Sequence, residues 1–221
     1  MNTVTERQYN LLVLLPVGGV VSALASISLM GFQIPSPYFM GFIFGAIFGA
    51  SLARAKIIGT EGWVLWVFAA TVAHFVSFLI VFLFPTWMPA GAHSTEGVSR
   101  GSLVAAGLAG ALLIVGVLQL IRQEYSVSGL LLKPLIATLA GGTLAALGWK
   151  LAPSVGTAFW RVLSSLGLSG RAYEPGDMID YGPANVAYAV YFVWQVGMAI
   201  VIALLVWDYE PVSDAKEVRK S

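Results

Sequence analysis

Long apolar runs, separated by short clusters of proline, glycine and charge, make up most of this chain. They cover Leu11–Gly31, Pro37–Ala53, Trp63–Phe84, Leu103–Ile121, Leu130–Leu151 and Ala184–Trp207. Each falls in or near the range of ~17–25 residues that carries a helix across ~30 Å of hydrocarbon. The pattern predicts an all-α fold: a polytopic transmembrane helix bundle of about six spans, forming one integral membrane domain over 1–221. The stretch 153–183 is the longest outside the apolar runs. Its first part, Ser154–Leu168, sets Phe159, Val162, Leu163 and Leu166 at helical spacing, which predicts a short amphipathic helix along the membrane surface. Its second part, Ser169–Pro183, reads as an acidic loop on the extracytoplasmic side, and the tail Asp208–Ser221 as a solvated end.

The breaks carry the polar residues. Met1–Asn10 is a polar leader with Glu6 and Arg7, and Ala23-Leu24-Ala25 has the small-x-small form of a signal-peptidase site. Apolar character that runs on to Phe32 and a leader with one basic residue favour a retained first span over a cleaved signal. Trp63 and Trp66, at the start of the third run, suit the headgroup region. Lys133 and Lys150 stand near the two ends of the fifth, where long side chains snorkel outward.

Small residues add a second periodicity. Gly41, Gly45, Gly49 and Ala53 recur every four residues and share one helix face, the small-xxx-small pattern by which helices approach closely in lipid. Gly18, Ser22 and Ser26 form a similar face on the first run, a mate for the glycine face of the second. Phe42, Phe44 and Phe48 fall elsewhere, toward lipid or larger neighbours. The glycine face predicts association with protein partners or with a second copy of the chain.

Composition narrows the class. The 221 residues are 58% hydrophobic and only 10% charged, with a mean hydropathy of +0.83, far from the roughly 25% charged residues of soluble domains. A net charge of +1 without a basic stripe gives no reason to expect nucleic acid as a partner. The chain has no cysteine and two histidines, which excludes disulfides, thiolate metal sites and multi-histidine metal centres. Of the 12 Lys and Arg residues, eight (Arg7, Arg54, Lys56, Arg122, Lys133, Lys216, Arg219, Lys220) fall on one side of a six-span arrangement and four (Arg100, Lys150, Arg161, Arg171) on the other. The positive-inside rule then predicts cytoplasmic termini, in a bacterial inner membrane.

Few residues offer chemistry. His74 and Gln195 fall near mid-depth in the third and sixth runs and are expected to meet. Tyr188, Tyr191 and Gln195 follow one stripe, so His74, Tyr191 and Gln195 form the candidate ligand-binding set. A neutral histidine bonded to Gln195, to Thr71 or to a carbonyl is the simpler reading, because no membrane-embedded carboxylate stands beside it. His93 with Glu96, and Glu174 with Asp177 and Asp180, lack the ligand number or order of a metal site. No nucleophile elbow, HExxH or phosphate loop is present, so neither catalysis nor a cofactor is expected.

In architecture the chain resembles the substrate-binding subunits of vitamin transporters of the energy-coupling type, which share the helix count, the cytoplasmic termini and a small-residue face on the first helix. No sequence motif carries that likeness. Two functions are expected on these grounds: a non-catalytic subunit or stabilising partner of a larger membrane complex, and, second, a small-solute transporter or its membrane-embedded substrate-binding component. Sparse mid-membrane polarity favours the first, since a polar solute must be met by several converging groups.

Overall fold

A computed structural model describes residues 9–31, 37–83, 100–123, 125–165, 167 and 183–209. They form helices α1 (Leu15–Gly31), α2 (Pro37–Arg54), α3 (Thr60–Leu83), α4 (Arg100–Arg122), α5 (Lys133–Leu151), α6 (Thr157–Ser165) and α7 (Pro183–Leu205), with no strand among the described residues. By length and composition, four segments are long and apolar enough to cross a membrane: Leu11–Ser28, Thr60–Val81, Arg100–Arg122 and Gly129–Phe159. Phe39–Arg54 and Ala189–Leu205 are shorter apolar helices.

The long helices close into a ring. Each packs on its neighbour in the order α1, α2, α3, α4, α5, α7, and α7 returns to α1; α4 also touches α7 across the interior. Three π-helical turns, Asn10–Leu14, Ser128–Leu132 and Ala152–Gly156, adjoin or contain a proline (Pro16, Pro134, Pro153). A proline ring crowds the carbonyl four residues earlier. For Pro16 and Pro134 that carbonyl, on Leu12 and Leu130, lies inside the widened turn, which relieves the crowding and keeps the chain helical.

Small residues set the spacing around the ring. A Cβ at Gly45 would lie 2.8 Å from Val67 Cα, and one at Gly41 2.7 Å from Thr71 Cα, so α2 rests directly on the backbone of α3. A Cβ at Gly107 would lie 2.6 Å from Gly141 O, which fixes the crossing of α4 and α5; Gly142 receives Leu108, and Gly148 meets the backbone of Val190 on α7. The Gly141-Gly142 pair is thus a packing notch in an unbroken helix. The glycine face of α2 is occupied within the chain, by α3, which corrects the expectation that it joins the chain to a partner. Its expected mate on α1 is divided: Gly18 lies against Ser51 and Phe48 of α2, whereas Ser22 and Ser26 turn to Gln195 of α7.

The interior is aromatic. Phe44, Phe48 and Trp66 are fully buried, with Phe44 and Phe48 stacked at 5.2 Å and Trp66 at 6.4 and 6.0 Å from them. Trp66 therefore belongs to the core and is not a headgroup anchor, and Trp63 points inward far enough for its Nε1 to donate to Ala46 O at 3.2 Å. The aromatic rings of Trp63 and Trp66 lie over Gly49, in the gap that its missing side chain leaves. Phe42, by contrast, is exposed. The helix expected over Ser154–Leu168 is seen as α6, shorter than expected and continuous with α5 through the π-helical turn Ala152–Gly156, with Phe159 against Phe192 of α7 at 4.8 Å and Val162 exposed.

One end of the bundle gathers the basic residues. After Arg54 the chain turns in a Schellman arrangement, with Ile57 N–H on Leu52 O and Lys56 N–H on Ala53 O, both 2.9 Å, and Lys56 at φ 55°. Ile57 and Ile58 are thereby buried, and Arg122 Nη1 donates to Ile57 O at 3.0 Å. The end of α7 arrives at the same place, where Tyr209 is buried. Of the expected solvated end Asp208–Ser221, Tyr209 is therefore corrected to a core residue; residues 210–221 lie outside the described residues.

Candidate functional site

Two polar constellations lie inside the ring and a third closes its basic end. The first surrounds His74 on α3. Its Nδ1 is 2.9 Å from Ala70 O one turn earlier; since a carbonyl only accepts, that nitrogen carries the proton, and a neutral ring presents Nε2 as an acceptor. The imidazole stacks on Tyr191 of α7 (6.3 Å, 20°), meets the edge of Trp194 (5.9 Å, 86°) and lies 5.4 Å from Phe44 of α2. Three rings from two helices thus enclose His74. The indole Nε1 atoms of Trp66 and Trp194 are buried without a hydrogen-bond partner among the described residues.

The second constellation is the amide of Gln195. Ser22 Oγ lies 2.9 Å from Gly19 O and 3.2 Å from Gln195 Oε1, so its single proton is shared between two acceptors. Gln195 Nε2 donates to Ser26 Oγ at 3.4 Å. All three side chains are fully buried. Gly19 makes this approach possible, because a Cβ there would lie 3.2 Å from Gln195 O. The four-residue spacing of Ser22 and Ser26 matches the two ends of one amide.

The third lies at the basic end. Tyr209 Oη donates to Gln119 Oε1 of α4, and the Tyr209 ring carries Lys133 Nζ at 4.0 Å and the Arg122 guanidinium at 4.7 Å from its centroid. Gln119 is 1% exposed, and its Nε2 finds no acceptor.

The expected site is divided by this geometry. His74 and Tyr191 are brought together as stacked rings. Gln195, one residue past Trp194, faces α1 instead, and the direct His74–Gln195 bond is replaced by separate partners for each. Thr71 bonds Val67 O at 2.8 Å and takes no part. Of the helix-packing set, Gly18, Gly41, Gly45 and Gly49 make close approaches, Ser22 and Ser26 serve as ligands to an amide, and Ala53 is half-buried beside the core. His93, Glu96, Glu174, Asp177 and Asp180, together with the side chain of Tyr188, lie outside the described residues. Trp194 and Gln119 escape a reading of the sequence alone, the first as one aromatic residue among many. Gln119 did leave a signal, as the only amide in the α4 run, one turn before Arg122.

Among the described residues no three His, Cys, Asp or Glu side chains gather as a metal site would require. No protein-family model, no curated protein and no solved structure matches the chain.

Proposed function

We propose that this chain is a six-span integral membrane protein without a catalytic centre of its own, acting as a subunit or stabilising partner of a larger membrane complex. One observation carries the reading. The two polar side chains that the sequence offered as a solute site are engaged within the chain and apart from each other, Gln195 by Ser22 and Ser26 and His74 Nδ1 by Ala70 O. A route for a polar solute needs the reverse, several groups left open and converging on one point. Arg54, Lys56, Arg122 and Lys133 all belong to the end of the bundle where the α2–α3 and α4–α5 connections lie; with that end cytoplasmic, both termini are inside, and a bacterial inner membrane is the simplest location. Partners in this reading are lipids and other membrane proteins.

Extraction in mild detergent, followed by copurification and mass analysis, tests it. Foreign subunits at constant stoichiometry support the proposal, and a homogeneous chain without them overturns it. The rings around His74 favour a second reading, a membrane-embedded component that holds a small planar molecule between Tyr191, Trp194 and Phe44. A small molecule retained through purification, and lost in His74→Leu, supports that alternative.

A further inference from the structure

We infer that the rings around His74 hold the head of a quinone. The inference rests on the second reading above, a small planar molecule among Tyr191, Trp194 and Phe44, and names its chemical class; such a seat also fits a subunit of a larger complex. Phe44 stands in the middle of the cluster, with the ring centroids of His74, Trp194 and Trp66 at 5.4, 6.2 and 6.4 Å from its own. Each of those three rings carries a polar atom without a partner among the described residues. Two are the indole Nε1 atoms, and the third is His74 Nε2, because the imidazole bonds Ala70 O through Nδ1. Buried indole N–H groups ordinarily find an acceptor, and Trp66 and Trp194 are 0% and 8% exposed. Two such donors in one cluster call for acceptors brought by another molecule.

The chemistry of the cluster selects the class. An indole only donates, and none of these rings carries a charge, so the ligand is neutral and offers two acceptors. The faces of Phe44, Tyr191 and Trp194 favour a flat ring. A quinone has two carbonyl acceptors on opposite edges of one flat ring and no N–H of its own to bury; in its reduced form a hydroxyl donates, and His74 Nε2 accepts. Trp66 and His74 both lie within the apolar segment Thr60–Val81, at a depth that a molecule soluble in hydrocarbon reaches without a water-filled route. Helices α3 and α7 are not neighbours in the ring. The layer between them is side chains, which part around a flat head without breaking a backbone contact such as that of α2 on α3.

The full chain in detergent is titrated by calorimetry with decylubiquinone, with decylbenzene and with lumichrome, a planar lactam. Decylubiquinone is expected to bind about ten-fold or more tightly than decylbenzene, which has the ring and the chain without the carbonyls. Trp194→Phe keeps a ring and removes the N–H. It should weaken quinone binding by roughly three- to ten-fold, the worth of one hydrogen bond, while stability without ligand holds or rises because an unanswered donor is gone. Trp66→Phe should act alike, and it replaces Trp194→Phe if that variant fails to fold. Trp207→Phe, beyond the end of α7, should leave the affinity unchanged. Equal affinity for decylubiquinone and decylbenzene overturns the inference without any variant, and so does a quinone affinity that neither lost N–H alters. Lumichrome bound in preference to the quinone would overturn the quinone and keep the planar-ligand reading. Binding of none of the three would remove both.

Discussion

Ser22 Oγ and Gln195 Oε1 stand 3.2 Å apart although 173 positions separate them in the chain. This contact closes the ring, because it joins the first long helix to the last. It also removes Gln195 from the surroundings of His74.

Two double-mutant cycles follow from that separation. Ser22→Ala and Gln195→Leu should be non-additive in thermal unfolding, with a coupling of about 0.6 kcal/mol and at most about 1.7, the range for hydrogen bonds between membrane helices. His74→Leu and Gln195→Leu should be additive to within roughly 0.5 kcal/mol, as sites without shared partners are. A large coupling in the second cycle would place the amide against the imidazole and contradict the observed partners.

The α2–α3 contact gives a sharper test of packing. Gly45→Ala should destabilise the bundle by about 1–3 kcal/mol, since its Cβ would press on Val67 Cα at 2.8 Å and backbone cannot move aside cheaply. On the same helix Phe44 is fully buried against Phe48, Trp66, His74 and Trp194. Phe44→Ala should cost about 3–5 kcal/mol, while the exposed Phe42→Leu should change stability little. Unfolding midpoints in one detergent decide the order.

Lys56 occupies a left-handed position, φ 55°, that closes the α2 C-terminus. Glycine adopts that conformation without a steric cost. Lys56→Gly should therefore raise the unfolding free energy by up to about 1 kcal/mol. A loss of that size would mean that the Lys56 side chain contributes more than the strain it brings.

Sidedness is checked with an impermeant thiol reagent on intact cells. A cysteine from Ser154→Cys, at the α5–α6 junction, should label, and one from Gly59→Cys, in the α2–α3 connection, should not. The chain has no cysteine of its own to interfere. Labelling at position 59 alone would invert the topology.

The sequence by itself determined that the long apolar runs are helical, because such a run leaves the backbone few ways to satisfy its hydrogen bonds. It also determined which positions permit close approach, since Gly41, Gly45 and Gly49 recur at a helical period that is visible without coordinates. Which helix fills that face was decided only by tertiary structure. Spacing gives the direction of a residue on its own helix and nothing about rotation relative to another. That missing angle is why His74 and Gln195 share a depth without touching, and why Phe44 and Trp66 lie in the core and not at lipid. It is also why Tyr209, just past the last apolar run, is buried between Gln119 and two cations. The small-residue contacts fixed those rotations: Gly41 and Gly45 set α2 on α3, Gly107 set α4 on α5, and Gly19 brought α1 close enough to α7 for two serines to reach one amide.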